Sequence, residues 1–168
     1  MMSEINELEL ARQILADGEM FLVGIGSGLE KKKENADEID AVYATLSSWL
    51  KGKNYFVLTG NTDGKLLDGT FYPRLVCAPN LPDQEKNWNG YMNWLTGTLG
   101  HRLVILELEE GFLQPQLMRW PFERTVMINQ KASLIRVCRS FPQVPAELKN
   151  QAVSLAMDAG RFVQEELR

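Results

Sequence analysis

Two short apolar runs, each ending in a cluster of glycine and small polar residues, constrain this chain more than any other feature. Met20-Phe21-Leu22-Val23 leads into Gly24-Ile25-Gly26-Ser27-Gly28, and Tyr55-Phe56-Val57-Leu58 leads into Thr59-Gly60-Asn61-Thr62-Asp63-Gly64. Short apolar runs bounded by glycine suit strands covered on both faces, as in a parallel sheet between helix layers. In such sheets ligands sit beyond the carboxyl ends of the strands, where both clusters fall. Glycine lets the backbone approach a ligand closely, and bare N–H groups receive phosphate, so the pattern points to a nucleotide-type ligand.

The rest of the chain continues the alternation. Ile5, Leu8, Ala11 and Leu15 fall at helical spacing before Gly18, and the first strand spans Met20 to Ile25. A polar, mobile stretch from Glu30 to Glu38 precedes a helical stripe of Ile39, Val42, Tyr43, Leu46, Trp49 and Leu50, closed near Gly52. The second strand is Tyr55 to Leu58, and a short third is expected around Arg74 to Ala78. Trp88, Tyr91, Met92, Leu95 and Leu99 form another helical stripe before the apolar strand Leu103 to Leu108. Gly111 to Gln116 is a loop, and Trp120-Pro121-Phe122-Glu123 starts a helix with proline in its first turn. Strands follow at Ser133 to Val137 and Val153 to Ala156, and Asp158 caps a closing helix through Val163. Strands alternating with helices predict an α/β, Rossmann-like three-layer fold with a mostly parallel sheet. No repeat, low-complexity tract or linker divides the 168 residues, so one domain is expected over 1–168.

Charge and cysteine content narrow the function classes. A net charge of −4 without a basic stripe argues against a nucleic-acid partner. Lys31-Lys32-Lys33 is followed at once by acidic residues and reads as a solvated segment. Cys77 and Cys138 lie far apart, with no Cys-x-x-Cys pairing, which excludes a cysteine-rich zinc module and gives no disulfide framework. The acidic, amphipathic N-terminus is not a secretory signal, and no apolar stretch reaches membrane-spanning length. A cytoplasmic protein without membrane contact is expected.

Each motif carries two readings. Gly24-x-Gly26-x-Gly28 departs from the Gly-x-Gly-x-x-Gly dinucleotide fingerprint, because its third glycine comes one residue early. It fits a ligand-binding turn or a tight turn without ligand. Asn61 and Asp63 offer an amide and a carboxylate to orient a ribose, a carboxamide or a water, or they form an Asx-turn. Glu107, ending the strand at Leu103 to Leu108, is placed to hold a ribose hydroxyl or to face solvent. His101, the single histidine, belongs at the amino end of the sheet, which removes histidine-based nucleophilic chemistry. Trp49, Trp88, Trp94 and Trp120 read as core or rim residues.

Taken together these residues resemble the sirtuin family of NAD-dependent enzymes. Gly24-Ile25-Gly26-Ser27 is similar to the family's Gly-Ala-Gly-x-Ser turn, and Thr59-Gly60-Asn61-Thr62-Asp63 to its Thr-x-Asn-x-Asp segment. Leu106 to Phe112, Arg119-Trp120-Pro121-Phe122-Glu123, the strand Ala132 to Val137 and the Asp158-Ala159 helix extend the likeness over most of the chain. The resemblance implies an NAD-binding core, with Gly24, Gly26 and Ser27 facing the phosphates and Asn61 and Asp63 near the nicotinamide ribose. Ile25, Thr59, Glu107, Gly111 and Arg136 complete the expected cofactor-binding set.

The departures from the family bear on chemistry. The family's catalytic histidine should fall near Phe71 to Ala78, and none is there. The zinc cysteines and their module are absent, Gly28 to Asn35 replaces the Pro-Asp-Phe-Arg stretch, and Cys138 stands where an asparagine is expected. The leading expectation is therefore a degenerate, sirtuin-like domain that binds NAD or another adenine nucleotide without deacetylating protein. An alternative is an ADP-ribosyltransferase or NAD glycohydrolase, with Asn61 and Asp63 as catalytic residues stabilising an oxocarbenium charge. A further alternative is an interaction protein with a decayed nucleotide site, binding a protein partner or a second copy of itself.

Overall fold

The computed structural model describes residues 4–168; residues 1–3 of the acidic N-terminus and the Ile5 side chain lie outside the described residues. Six strands form one sheet: β1 (Met20–Ile25), β2 (Asn54–Thr59), β3 (Val76–Cys77), β4 (Leu103–Leu108), β5 (Ser133–Val137) and β6 (Ala152–Leu155). Every pairing is parallel and the spatial order is β3-β2-β1-β4-β5-β6, so the strand order reverses between β1 and β4. Parallel strands need crossovers that cover both faces, and this is the order of a doubly wound, Rossmann-like fold.

The helices are α1 (Glu4–Asp17), α2 (Ala36–Leu50), α3 (Glu85–Thr96), α4 (Arg119–Ile128) and α5 (Ala159–Glu166). Strand alternation sorts the core into two layers. Phe21, Val23 and Ile25 of β1 and Val104, Leu106 and Leu108 of β4 face Ala11 of α1, Ile39, Tyr43 and Leu46 of α2 and Phe162 of α5. Leu22 of β1, Phe56 of β2 and Ile105 of β4 face Tyr91 of α3 and Phe122 and Val126 of α4. All residues of β4 are buried, which is why it reads as an unbroken apolar run up to Glu107.

Local chemistry sets the ends of these elements. Asp158 caps α5 by accepting the Arg161 N–H at 3.0 Å. Pro121 sits in the first turn of α4, as its missing N–H requires. Gly52, at φ +83°, turns the chain from α2 into β2. Three expectations need correction. The stripe continued to Leu99 overruns α3, which ends at Thr96 with Gly97 as its C-cap, leaving Leu99 exposed. Glu30 to Glu38 is not a free segment: Ala36 to Glu38 already belong to α2. The Lys31 N–H donates to Asp63 at 2.5 Å, and the Lys31 ammonium pairs with Asp40 at 3.0 Å. The third strand shrinks to Val76–Cys77 because Pro73–Leu75 winds into a short 3-10 turn. No helix of the described residues is long and apolar enough to cross a membrane.

Candidate functional site

The β1–β4 register sets what stands above the reversal point. Ile25 pairs with Leu108, so Gly26 leaves β1 beside Glu109 leaving β4. The Gly26 N–H donates to the Leu108 carbonyl at 2.8 Å, and the Gly28 N–H to the Glu109 carbonyl at 3.2 Å. The Ser27 backbone bonds the Glu110 carboxyl group. A Cβ on Gly26 would overlap the Glu109 carbonyl, and one on Gly28 would lie 2.8 Å from the Glu109 Cβ. These glycines therefore make room for the chain's own β4–α4 loop. Directly beyond β1 the chain makes only a single 3-10 turn, Ser27–Leu29, and the first α-helix after it, α2, begins at Ala36. Gly24, one step earlier, faces the other layer, where a Cβ would meet Met118 Sδ at 2.6 Å and Phe122.

The second cluster ties β2 to β1. Thr59 Oγ1 donates to the Ile25 carbonyl at 2.7 Å and accepts the Asn61 N–H at 3.0 Å. Asn61 Nδ2 donates to the Gly26 carbonyl at 3.0 Å, and the residue is buried. Asp63 closes an Asx-turn on the Lys65 N–H at 3.0 Å, its other oxygen taking the Lys31 N–H.

Glu107 and Arg136 meet each other. The guanidinium donates to the carboxylate through Nε at 2.5 Å and Nη2 at 3.1 Å, and neither side chain is exposed. Nη1 continues to Glu123 at 2.7 Å and to the Gln143 carbonyl at 2.9 Å. Burial raises the Glu107 carboxyl above its ordinary value, and the Arg136 guanidinium draws it back. Glu107 is thus not solvent-facing; it holds Arg136, which in turn ties α4 and Gln143 to the sheet. Arg119 works alongside, donating to the Phe141 and Gln143 carbonyls at 3.0 and 2.9 Å. Gly111 lies farther out, against the Phe141 ring. His101 sits exposed just before β4, at the amino end, near Glu19.

Above the reversal point lies a cleft of about 450 Å³. Ser27 and Glu30 line it from the loop after β1, and Gly60, Asn61 and Thr62 from the loop after β2. Asn80 closes the side beyond β3, and Glu110, Leu113, Gln114 and Gln116 come from the loop after β4. Asn80 Nδ2 bridges the Gly60 carbonyl at 2.9 Å and Gln114 Oε1 at 2.8 Å, tying the far wall together. Glu30 accepts from the Thr62 backbone at 3.3 Å. Burial, with Glu107 nearby, pushes the Glu110 carboxyl up to about 7, against the Ser27 backbone, which lowers it. A larger groove of about 610 Å³ between Ser47, Lys51, Tyr55 and Tyr72 runs by the start of β2, away from the reversal point.

Of the residues expected from sequence, the cleft brings together Ser27 and Asn61, beside Thr59 and Gly26 beneath its floor. Gly24, Glu107 and Arg136 belong to the α4 layer, and Asp63 to the turn behind. Glu110, Glu30, Asn80 and Gln114 escaped sequence reasoning. Glu110 was within reach: a strand ending at Leu108 sends residues 109 and 110, and not Glu107, above the sheet. No protein-family model matches the chain, and no curated protein is significantly similar to it.

Proposed function

We propose that this chain is a binding domain for a nucleoside-containing small molecule of the NAD class, held in the cleft above the β1–β4 reversal, and not a protein deacetylase. One observation carries the reading: polar side chains from the loops after β1, β2, β3 and β4 converge on a single cleft where the strand order reverses. That is where doubly wound sheets take ligands, and carboxamides, hydroxyls and a carboxyl group of raised pKa suit ribose and base-edge recognition. The likeness of the two loop motifs to sirtuins supports the same class. The diphosphate of such a cofactor does not fit the glycine turn as folded, since the Gly26, Ser27 and Gly28 backbone groups are bonded to the β4–α4 loop. The nucleoside portion is the part the cleft suits.

Calorimetric titration with NAD and ADP-ribose, with nicotinamide assayed in the same samples, tests the proposal. Saturable binding without nicotinamide release is expected, with the nucleosides binding more tightly than the two diphosphate-bearing compounds. Absence of binding by either compound and by their nucleosides would sink it.

A second reading rests on the same filled turn. Phe112 and Phe141 stack edge-on at 5.1 Å, and both are exposed, as is Leu113, beside a glycine turn already occupied by its own chain. In that reading the domain binds another protein through this apolar rim. Loss of self-association or partner binding in Leu113→Asp, with no small-molecule binding by the parent chain, would favour it.

A further inference from the structure

The charge of the cleft says more about its ligand than its position does. Two carboxyl groups, Glu30 and Glu110, line it, with carboxamides and hydroxyls between them and no lysine, arginine or histidine. Glu110 is 4 % exposed, and its carboxyl group receives the Ser27 backbone and no side-chain donor among the described residues. The residue lines the cleft. A carboxyl group with so few protein donors keeps acceptor capacity for a ligand in the cleft. The nearest cations give phosphate nothing. Arg136 is spent on Glu107 and Glu123, Arg119 on the Phe141 and Gln143 carbonyls, and Lys31 on Asp40.

The usual phosphate receptor of such folds is closed by the same residues. Backbone groups that would cradle an anion beyond β1 are bonded to Leu108, Glu109 and Glu110. An anion entering here would meet two carboxylates and no free N–H of that turn.

Resting on the binding role proposed above, we infer that the cleft selects an unphosphorylated nucleoside, bound through its hydroxyl and amino donors, and rejects the corresponding nucleoside phosphate. Glu110 and Glu30 are the discriminating residues. They accept from ribose hydroxyls or an amino group, and they repel a phosphate placed in the same cleft.

The test is calorimetry near pH 8, above the value of about 7 to which burial and Glu107 push the Glu110 carboxyl against the opposing pull of the Ser27 backbone, Arg119 and Arg136, so that it is ionised there. The probes are adenosine and the cation nicotinamide riboside, each against its 5′-monophosphate. The nucleosides are expected to bind about tenfold more tightly than the monophosphates. In the isosteric Glu30→Gln/Glu110→Gln variant, checked for folding by circular dichroism, that gap closes to about threefold or less. Monophosphates that bind the parent chain as tightly as the nucleosides overturn the inference and leave the binding role standing. So does a gap that persists undiminished in the double variant. If none of the probes binds, the binding role falls and the inference with it.

Discussion

The carbonyl oxygen of Glu109 occupies the space that a side chain on Gly26 would need, and it accepts the Gly28 N–H at 3.2 Å. Glu109 adopts φ +53° to reach this place, a left-handed conformation unusual for a residue with a side chain. Its carboxylate holds the strained residue down. It accepts the Ala159 N–H at the start of α5 at 3.1 Å and pairs with Arg139 at 3.3 Å. The loops after β1 and β4 are thereby locked to each other and to the last helix.

Gly26→Ala is therefore a stability mutant first. The methyl group would drive into backbone, which cannot rotate away as a side-chain tip can, and the expected loss is about 1–3 kcal/mol. Urea denaturation measures it. An unchanged midpoint would mean that the β4–α4 loop yields freely and that the glycine is not there for packing.

Asn61→Ala removes the bond from its side-chain amide to the Gly26 carbonyl and leaves the segment after β2 held to the one after β1 through Thr59, Thr62 and Asp63. About 1–2 kcal/mol of stability should go with it, since the group is buried. Thermal unfolding reads the effect, and a stability equal to the parent chain's would contradict the structural role given to Asn61.

The Glu107–Arg136 pair predicts a non-additive result. Arg136→Met leaves a buried carboxylate beside Gly24 without its cation, at an expected cost of about 3–5 kcal/mol. Adding Glu107→Leu removes the stranded charge, although Glu123 still loses its partner, so the double variant should recover at least about 1 kcal/mol. Denaturant midpoints of the parent, both single variants and the double variant close the cycle. A double variant weaker than Arg136→Met would show that the pair is not the unit on which this layer depends.

What the sequence disclosed, and what it hid, follows from the range of the forces involved. Met20–Ile25, Leu103–Leu108 and Ser133–Val137 are legible to the residue, because apolar runs between turn formers are local signals. Asp158 announces its helix for the same reason. Glycine purpose is not local. Gly26 and Gly28 look alike whether a ligand or residues 109–110 fill the space above them, and only the β1–β4 pairing decides. Glu107 misleads similarly, since its partner is 29 positions away on β5. Glu110, three positions farther on, is the carboxyl that lines the cleft, where Glu107 had been expected.

The Glu110 carboxyl group gives stability a pH dependence of known sign. Its pKa is raised from an ordinary 4.5 to about 7, first by burial and then by Glu107. The folded protein thus holds this proton more tightly than the unfolded chain does. The group's contribution is complete below about pH 4.5 and is lost as pH rises through about 7. Because the cleft opens to water, screening holds the effect to about 1–2 kcal/mol. Glu110→Gln keeps an acceptor for the Ser27 backbone and abolishes the titration. Its stability should match the parent's near pH 5 and exceed it by that margin near pH 8. Urea midpoints across this range make the comparison, with the parent minus variant difference cancelling every other titrating group. A difference that stays flat from pH 5 to pH 8 would place the Glu110 proton outside the folding equilibrium and remove the reason to regard this carboxyl as poised near neutrality.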